Sequence, residues 1–225
     1  MQKIIVGIDE AGRGPLAGPV VAAAFTLVNS KRVSDFGFRA SNLKLRDSKL
    51  LSPIQRERIY RELCESPLVE WGIGQVSEKV IDKINIFQAT KLAMVKAVEN
   101  LQQKLHKRAK KSTVHFLNDR AKSVPNFVID SLIIDGNFLL DLPISQKAIV
   151  KADATILECM AASIVAKVTR DRLILRLHKK YPQYGFDRHK GYGTKLHFEM
   201  LRLHGPCAIH RLSFAPLKNS GEFVK

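Results

Sequence analysis

Val6 to Val20 reads VGIDEAGRGPLAGPV, an apolar run that ends in two adjacent carboxylates and passes at once into a loop of glycine, arginine and proline. The segment from Lys3 to Ile8 shows no polar alternation after its first residue, so it predicts a strand buried on both faces. Asp9 and Glu10 emerge at its end. Successive strand side chains point to opposite faces, so the pair serves one site only if the chain bends there. Gly12 and Gly14 permit that bend and let backbone come close to a ligand. Acids and glycines around one basic residue are the layout of a metal-dependent phosphate site.

The 225 residues suffice for one large domain, or one domain with an extension, around a substantial core. Lys and Arg number 37 against 21 Asp and Glu, a net charge of +16 that points to a polyanionic partner, nucleic acid before anionic lipid. No apolar stretch of about 18 residues and no signal-peptide pattern precedes the first strand, so a soluble, cytoplasmic protein with no membrane contact is expected, and it is taken as a monomer. Cys64, Cys159 and Cys207 are odd in number and lack CxxC spacing, which supports neither a disulfide framework nor a zinc site. Cys159, in an apolar helical stretch, reads as a small core residue.

Further along, Ala22 to Leu27 forms a second apolar run, and Asn29 to Arg46 has little periodicity and predicts a loop or hairpin. Ser52-Pro53 supplies a cap and first-turn proline for a helix to about Cys64, and Val69 to Val76 predicts another strand. Asn85 is expected to cap a long amphipathic helix through about Leu105, followed by a basic stretch from Lys104 to Lys122 that reads as a mobile insertion. Val128 to Ile134 and Lys147 to Lys151 are strand candidates, each leading into an aspartate, and a helix from about Thr155 to Lys180 comes next. The mix argues an α/β or α+β fold with a helical C-terminal part.

Asp9, Glu10, Asp135 and Asp153 all lie at or just beyond predicted strand ends and converge if those strands are neighbours. Clustered carboxylates repel unless cations compensate, so convergence implies hard divalent metal, Mg²⁺ or Mn²⁺, and zinc is disfavoured because no Cys or His shares the spacing. Two such ions about 4 Å apart can activate a water and stabilise the leaving oxygen in phosphodiester hydrolysis. Metal plus positive charge is a nuclease reading. Asp171 sits mid-helix beside Lys167 and Arg172 and reads as a structural ion pair, and Asp130, Asp141 and Asp187 are read as structural too.

Ser163, Lys167 and Arg170, at i, i+4 and i+7, make one polar stripe that suits either phosphate oxygens or solvent. Lys49, near a helix N-terminus, could meet a phosphate. Tyr192, between Gly191 and Gly193, has little packing of its own and is placed to stack on a sugar or base, whereas His189 and His210 read as polar loop residues.

The segments GIDEAGRGPLAGPV, DSKLL at Asp47 to Leu51, IIDGN at Ile133 to Asn137, KAD at Lys151 to Asp153, ASIVAKVTRD at Ala162 to Asp171, YGFDRHKGYGT at Tyr184 to Thr194 and HRLSFAP at His210 to Pro216 resemble, in order, the motifs of the ribonuclease HII (type 2 ribonuclease H) family. They span nearly the whole chain. The resemblance implies a ribonuclease H-like mixed β-sheet flanked by helices, a single unit over residues 1–225 with a catalytic core to about 180 and a substrate-gripping helical extension beyond. It implies that Asp9, Glu10, Asp135 and Asp153 bind metal and catalyse, that the backbone of Gly12, Arg13 and Gly14 recognises a ribose 2′-hydroxyl, and that Tyr192 stacks on the following sugar. Only RNA carries that hydroxyl.

The implied activity is cleavage of RNA/DNA hybrids and of DNA containing single ribonucleotides, on the 5′ side of the ribonucleotide, leaving 3′-hydroxyl and 5′-phosphate ends, with roles in ribonucleotide and primer removal. Arg13 speaks against the related type 3 enzymes, and Leu212 stands where an arginine is expected. Two other classes fit the sequence less well. A dinucleotide-binding oxidoreductase would set Asp9 and Glu10 beside a pyrophosphate, and its third-glycine spacing is missing; a non-catalytic nucleic-acid-binding protein would have no use for four intact carboxylates.

Overall fold

A computed structural model of the chain describes residues 3–28, 51–116 and 127–219. Its strands are β1 (Ile4–Ala11), β2 (Val20–Leu27), β3 (Val69–Val76), β4 (Ile129–Asp135) and β5 (Ser145–Ile149), joined in one five-stranded sheet of order β3-β2-β1-β4-β5. β2 is antiparallel to both its neighbours, while β1, β4 and β5 run parallel. The helices are α1 (Pro53–Glu65), α2 (Glu78–Phe116), α3 (Ala152–Thr155), α4 (Leu157–Lys180), α5 (Phe186–His189) and α6 (Lys195–His204). The mixed sheet flanked by helices is the architecture expected.

Every residue of β2 is buried, because the strand lies between two helical layers. Ala22 and Ala24 join Ile4, Val6 and Ile8 of β1 in a core closed by α2, whereas Ala23 and Phe25 face a second core built with α1 and α4. β1 departs from the expectation at one point: Ile5 is 40% exposed. On that face Gly7 meets the start of α4, where an added Cβ would stand 2.3 Å from the Glu158 carbonyl carbon, so Ile5 lies beyond the helix's cover. The glycine-rich loop after β1 leads into an antiparallel strand and not a helix, which removes the strand–turn–helix context a dinucleotide site needs.

α2 approaches β3 closely. A Cβ on Gly74 would sit 1.9 Å from the Ala93 carbonyl oxygen, with no flexible side chain available to give way. Gly74→Ala is therefore expected to cost about 3 kcal/mol, read as a lower urea midpoint at unchanged slope.

Local signals hold where a side chain caps a helix. Ser52 Oγ accepts from Gln55 N–H at 3.2 Å, Gln55 Oε1 accepts from Ser52 N–H at 2.8 Å, and Pro53 opens α1. Asn85 does cap, its Oδ1 accepting from Gln88 N–H at 3.1 Å, and its non-helical φ of 65° divides the segment Glu78–Phe116 at a kink into a short helix before it and the long helix it caps, which runs on to Phe116. The basic stretch thus begins as packed helix and not as a mobile insertion. Lys104 Nζ donates to the Trp71 carbonyl at 2.8 Å, and Arg108 lies 3.8 Å from Glu70. The readings of 29–46, of Lys49 and of 117–126 lie outside the described residues. No helix among the described residues is long and apolar enough to cross a membrane.

Candidate active site

The parallel pairing of β1 and β4 matches Ile8 with Ile134, so Asp9 and Asp135 are the next residues on two adjacent strands. Strand alternation places Asp9 on the Gly7 face, beneath α4. Asp153 arrives from the other side. β5 ends at Ile149, Lys151 turns the chain with φ 60°, and Asp153 stands in the single turn α3, which Asp135 Oδ1 ties down by accepting from Ala152 N–H at 2.8 Å. One oxygen each of Asp9, Asp135 and Asp153 lie within 4.8 Å of one another.

Asp9 is 5% exposed, and burial, the charge of Glu10 and the charge of Asp135, in that order, hold its carboxyl well above the usual 3.8. Glu10 N–H donates to Asp9 Oδ1 at 2.7 Å and the Ser163 hydroxyl bonds the same carboxyl, both favouring its charged form without overcoming burial. Oxygens that share a cation lie at most roughly 4 to 5 Å apart, so the trio suits a hard divalent ion. Among the described residues no histidine or thiol joins the three, which disfavours zinc.

Asp9 and Asp135 of the trio open on a cleft of about 260 Å³ lined also by Glu10, Ala11, Gly12, Arg13, Gly14, Arg56, Ser163, Lys167 and Tyr192. Glu10 reaches its wall but stands outside the trio, its Oε1 3.4 Å from Arg13 Nη1, while its charge still raises the Asp9 carboxyl. Tyr192 is 42% exposed, and its Cε1 would lie 3.8 Å from a Cβ placed on Gly14. Lys167 Nζ sits 5.7 Å from the Tyr192 ring centroid and pairs with Asp171 at 2.8 Å, the structural ion pair expected.

Two expectations need correction. Arg170 is not on an accessible phosphate stripe: it is fully buried, donating to the carbonyls of Pro19, Lys190 and Ala17, each at 3.1 Å. The loop from Gly12 to Pro19 lies over this part of α4, and a Cβ on Gly12, where φ is +100°, would fall 2.1 Å from Arg170 Nε. His189 and His210 are not polar loop residues either, at 8% and 3% exposure among aromatic rings. Cys159 is the core residue expected, its thiol pushed up to about 12 by burial.

Sequence reasoning missed Arg211 and Arg56. Arg211 is buried and donates to the carbonyls of Gly18 at 2.9 Å, Arg13 at 3.0 Å and Gly12 at 2.6 Å. Nothing in a local pattern marks an arginine whose partners stand nearly two hundred residues away. Arg56, in the first turn of α1, lines the cleft, and its place just after the capping box was the available signal. Leu212 is 54% exposed while its N–H donates to Asp82, so the missing arginine would have stood on the surface.

The family model for ribonuclease HII matches residues 6–217. A ribonuclease HII of Chlamydia trachomatis serovar A is 45% identical over 216 residues, 96% of this chain and 84% of the relative, and one of Treponema denticola is 46% identical over 213 residues, 94% and 98% of the two. The ribonuclease H2 structure from Pyrococcus horikoshii OT3 superposes with a TM-score of 0.65 at 26% identity, covering 96% of this chain and 95% of that one. This chain therefore belongs to the ribonuclease HII family and is an endonuclease of the ribonuclease H type.

Proposed function

We propose that this chain hydrolyses the RNA strand of RNA/DNA hybrids and nicks duplex DNA on the 5′ side of single embedded ribonucleotides, leaving 3′-hydroxyl and 5′-phosphate ends. The observation that carries this reading is one cleft that sets Asp9 and Asp135, two of the three clustered aspartates, against the Gly12–Gly14 loop and an exposed tyrosine. Asp9, Asp135 and Asp153, with Glu10 at the adjoining wall, would hold two divalent ions, Mg²⁺ or Mn²⁺. Bound there, such ions lower the pKa of an attacking water and neutralise charge on the leaving oxygen.

The chain's own residues position the substrate. Backbone of Gly12, Arg13 and Gly14 reads the ribose 2′-hydroxyl, and the bare Gly14 leaves the facing Tyr192 ring open to the next sugar. Lys167, Arg13 and Arg56 meet phosphates around the cleft, with Lys49 assigned the same part. Ser163 holds Asp9 from α4 in place of touching phosphate. In this reading residues to about 180 form the catalytic core and those beyond grip the duplex.

The test is a DNA duplex with one ribonucleotide, incubated with Mg²⁺ or Mn²⁺ and separately with chelator. A metal-dependent nick on the 5′ side of the ribonucleotide is expected, and an uncut duplex in every condition overturns the proposal. Tyr192→Ala is expected to lower kcat/KM on this substrate by about 50-fold, through lost stacking and misplacement of the sugar. An unchanged value removes Tyr192 from the site.

A further inference from the structure

Hydrogen-bond partners assign the protons on three buried histidines and connect them to Tyr192. His197 Nδ1 lies 2.9 Å from the Tyr192 carbonyl, which can only accept, so Nδ1 carries a hydrogen and neutral His197 has a bare Nε2. His210 Nδ1 lies 2.8 Å from Cys207 N–H, which can only donate, and 3.3 Å from the Cys207 carbonyl, which can only accept; the shorter contact leaves Nδ1 bare, so this ring carries its hydrogen on Nε2. The two Nε2 atoms stand 3.0 Å apart, and a hydrogen from His210 to His197 satisfies both. The result is an unbroken directional chain: Cys207 N–H to His210, His210 to His197, His197 to the Tyr192 carbonyl. His189 stacks on His197 with ring centroids 4.4 Å apart, accepts from Gly191 N–H at 3.2 Å on Nδ1 and donates from Nε2 to the Tyr184 carbonyl at 2.8 Å.

Every ring nitrogen in this cluster thus has a partner with all three histidines neutral. Burial favours the neutral form, pushing His197 and His210 down to about 4 and His189 below its ordinary 6.5. The segment they hold needs an external tie. Gly191 has φ +87° and Gly193 follows Tyr192, so the flanking residues permit many backbone paths. The Tyr192 carbonyl also accepts from Thr194 N–H at 2.8 Å, and its N–H donates to the His189 carbonyl at 2.9 Å.

We propose that His197 and His210 are positioning residues for Tyr192: their directional hydrogen-bond chain aims the exposed ring over the cleft and so sets the efficiency of cutting at single ribonucleotides. This rests on the reading of Tyr192 as a substrate contact. The histidines touch neither the aspartate trio nor the cleft, and they act through the tyrosine's backbone.

Long-range proton–nitrogen NMR of the full chain at neutral pH is expected to show His197 protonated on Nδ1 and His210 on Nε2, and the opposite tautomer or an imidazolium at either position overturns the proposal. His197→Phe is expected to lower kcat/KM on the single-ribonucleotide duplex about tenfold, while His197→Asn, whose amide nitrogen replaces Nδ1, recovers most of it. In a Tyr192→Ala background His197→Phe should add less than about twofold. Equal losses in both backgrounds make the histidines merely structural and overturn the positioning role. Cutting impaired by Tyr192→Ala but untouched by His197→Phe defeats that role alone, whereas unchanged cutting in Tyr192→Ala defeats the reading of Tyr192 and the positioning role with it.

Discussion

Asp9→Asn is expected to lower cleavage about a thousandfold or more, roughly 4 kcal/mol of barrier, while leaving hybrid binding within about threefold. Asp9 is the member of the aspartate trio on which burial and two neighbouring carboxylates converge. Its folded pKa is raised, so in the cation-free chain its ionisation costs stability as pH climbs from the ordinary value of 3.8 through the raised one. A bound cation offsets that cost at neutral pH. Asparagine keeps the shape and removes the charge, so it relieves the repulsion and abolishes the cation's anchor together. Two melting measurements separate this from simple damage. In chelator the Asp9→Asn protein should melt no lower than the parent, and Mn²⁺ should raise the melting temperature of the parent but not of the variant. Parent-like cutting by the variant would remove Asp9 from the catalytic set.

The aspartate trio was legible in the sequence because each acid follows an apolar run, and parallel pairing of β1 with β4 places strand ends side by side. Glu10 shows what such reading leaves open. Adjacency in sequence brought it into the acid set, and the fold sets it on the wall of the same cleft, close enough for its charge to raise the Asp9 carboxyl but outside the trio of neighbouring oxygens. Arg170 shows a second limit. It shares a helical face with Ser163 and Lys167, which line the cleft, yet at Arg170 that face passes beneath the Gly12–Pro19 loop, and no periodicity tells the covered end of a stripe from the open one. The histidine cluster was hidden for the same reason, since isolated polar residues among glycines look like loop until the rings packed around them are seen.

Arg211→Met is expected to destabilise the fold by about 3 kcal/mol or more and to cut hybrid cleavage at least about 100-fold even in the fraction that remains folded. The guanidinium is fully buried, and its three donor nitrogens hold the carbonyls of Gly12, Arg13 and Gly18. Methionine fills much the same volume but leaves three buried carbonyls without a donor, each costing about 1–3 kcal/mol before relaxation. Arg211→Lys should rescue little, because one ammonium cannot span three carbonyls that a planar fork reaches together. Burial and the nearby Arg170 charge pull the Arg211 guanidinium pKa down, so the position is held at a cost that the loop carbonyls offset. Arg13 is the contrast. Its side chain is 47% exposed and meets Glu10 at 3.4 Å, so Arg13→Ala should change stability by less than about 1 kcal/mol. Urea unfolding with cleavage assays on the same samples decides the matter. The loop has other ties, Leu16 N–H to the Gly191 carbonyl and Gly18 N–H to the Ile209 carbonyl, both at 2.8 Å. If Arg211→Met cuts hybrids at the parent rate, those ties and the Arg170 bonds to the Ala17 and Pro19 carbonyls set the loop that faces the substrate, and Arg211 serves only the fold.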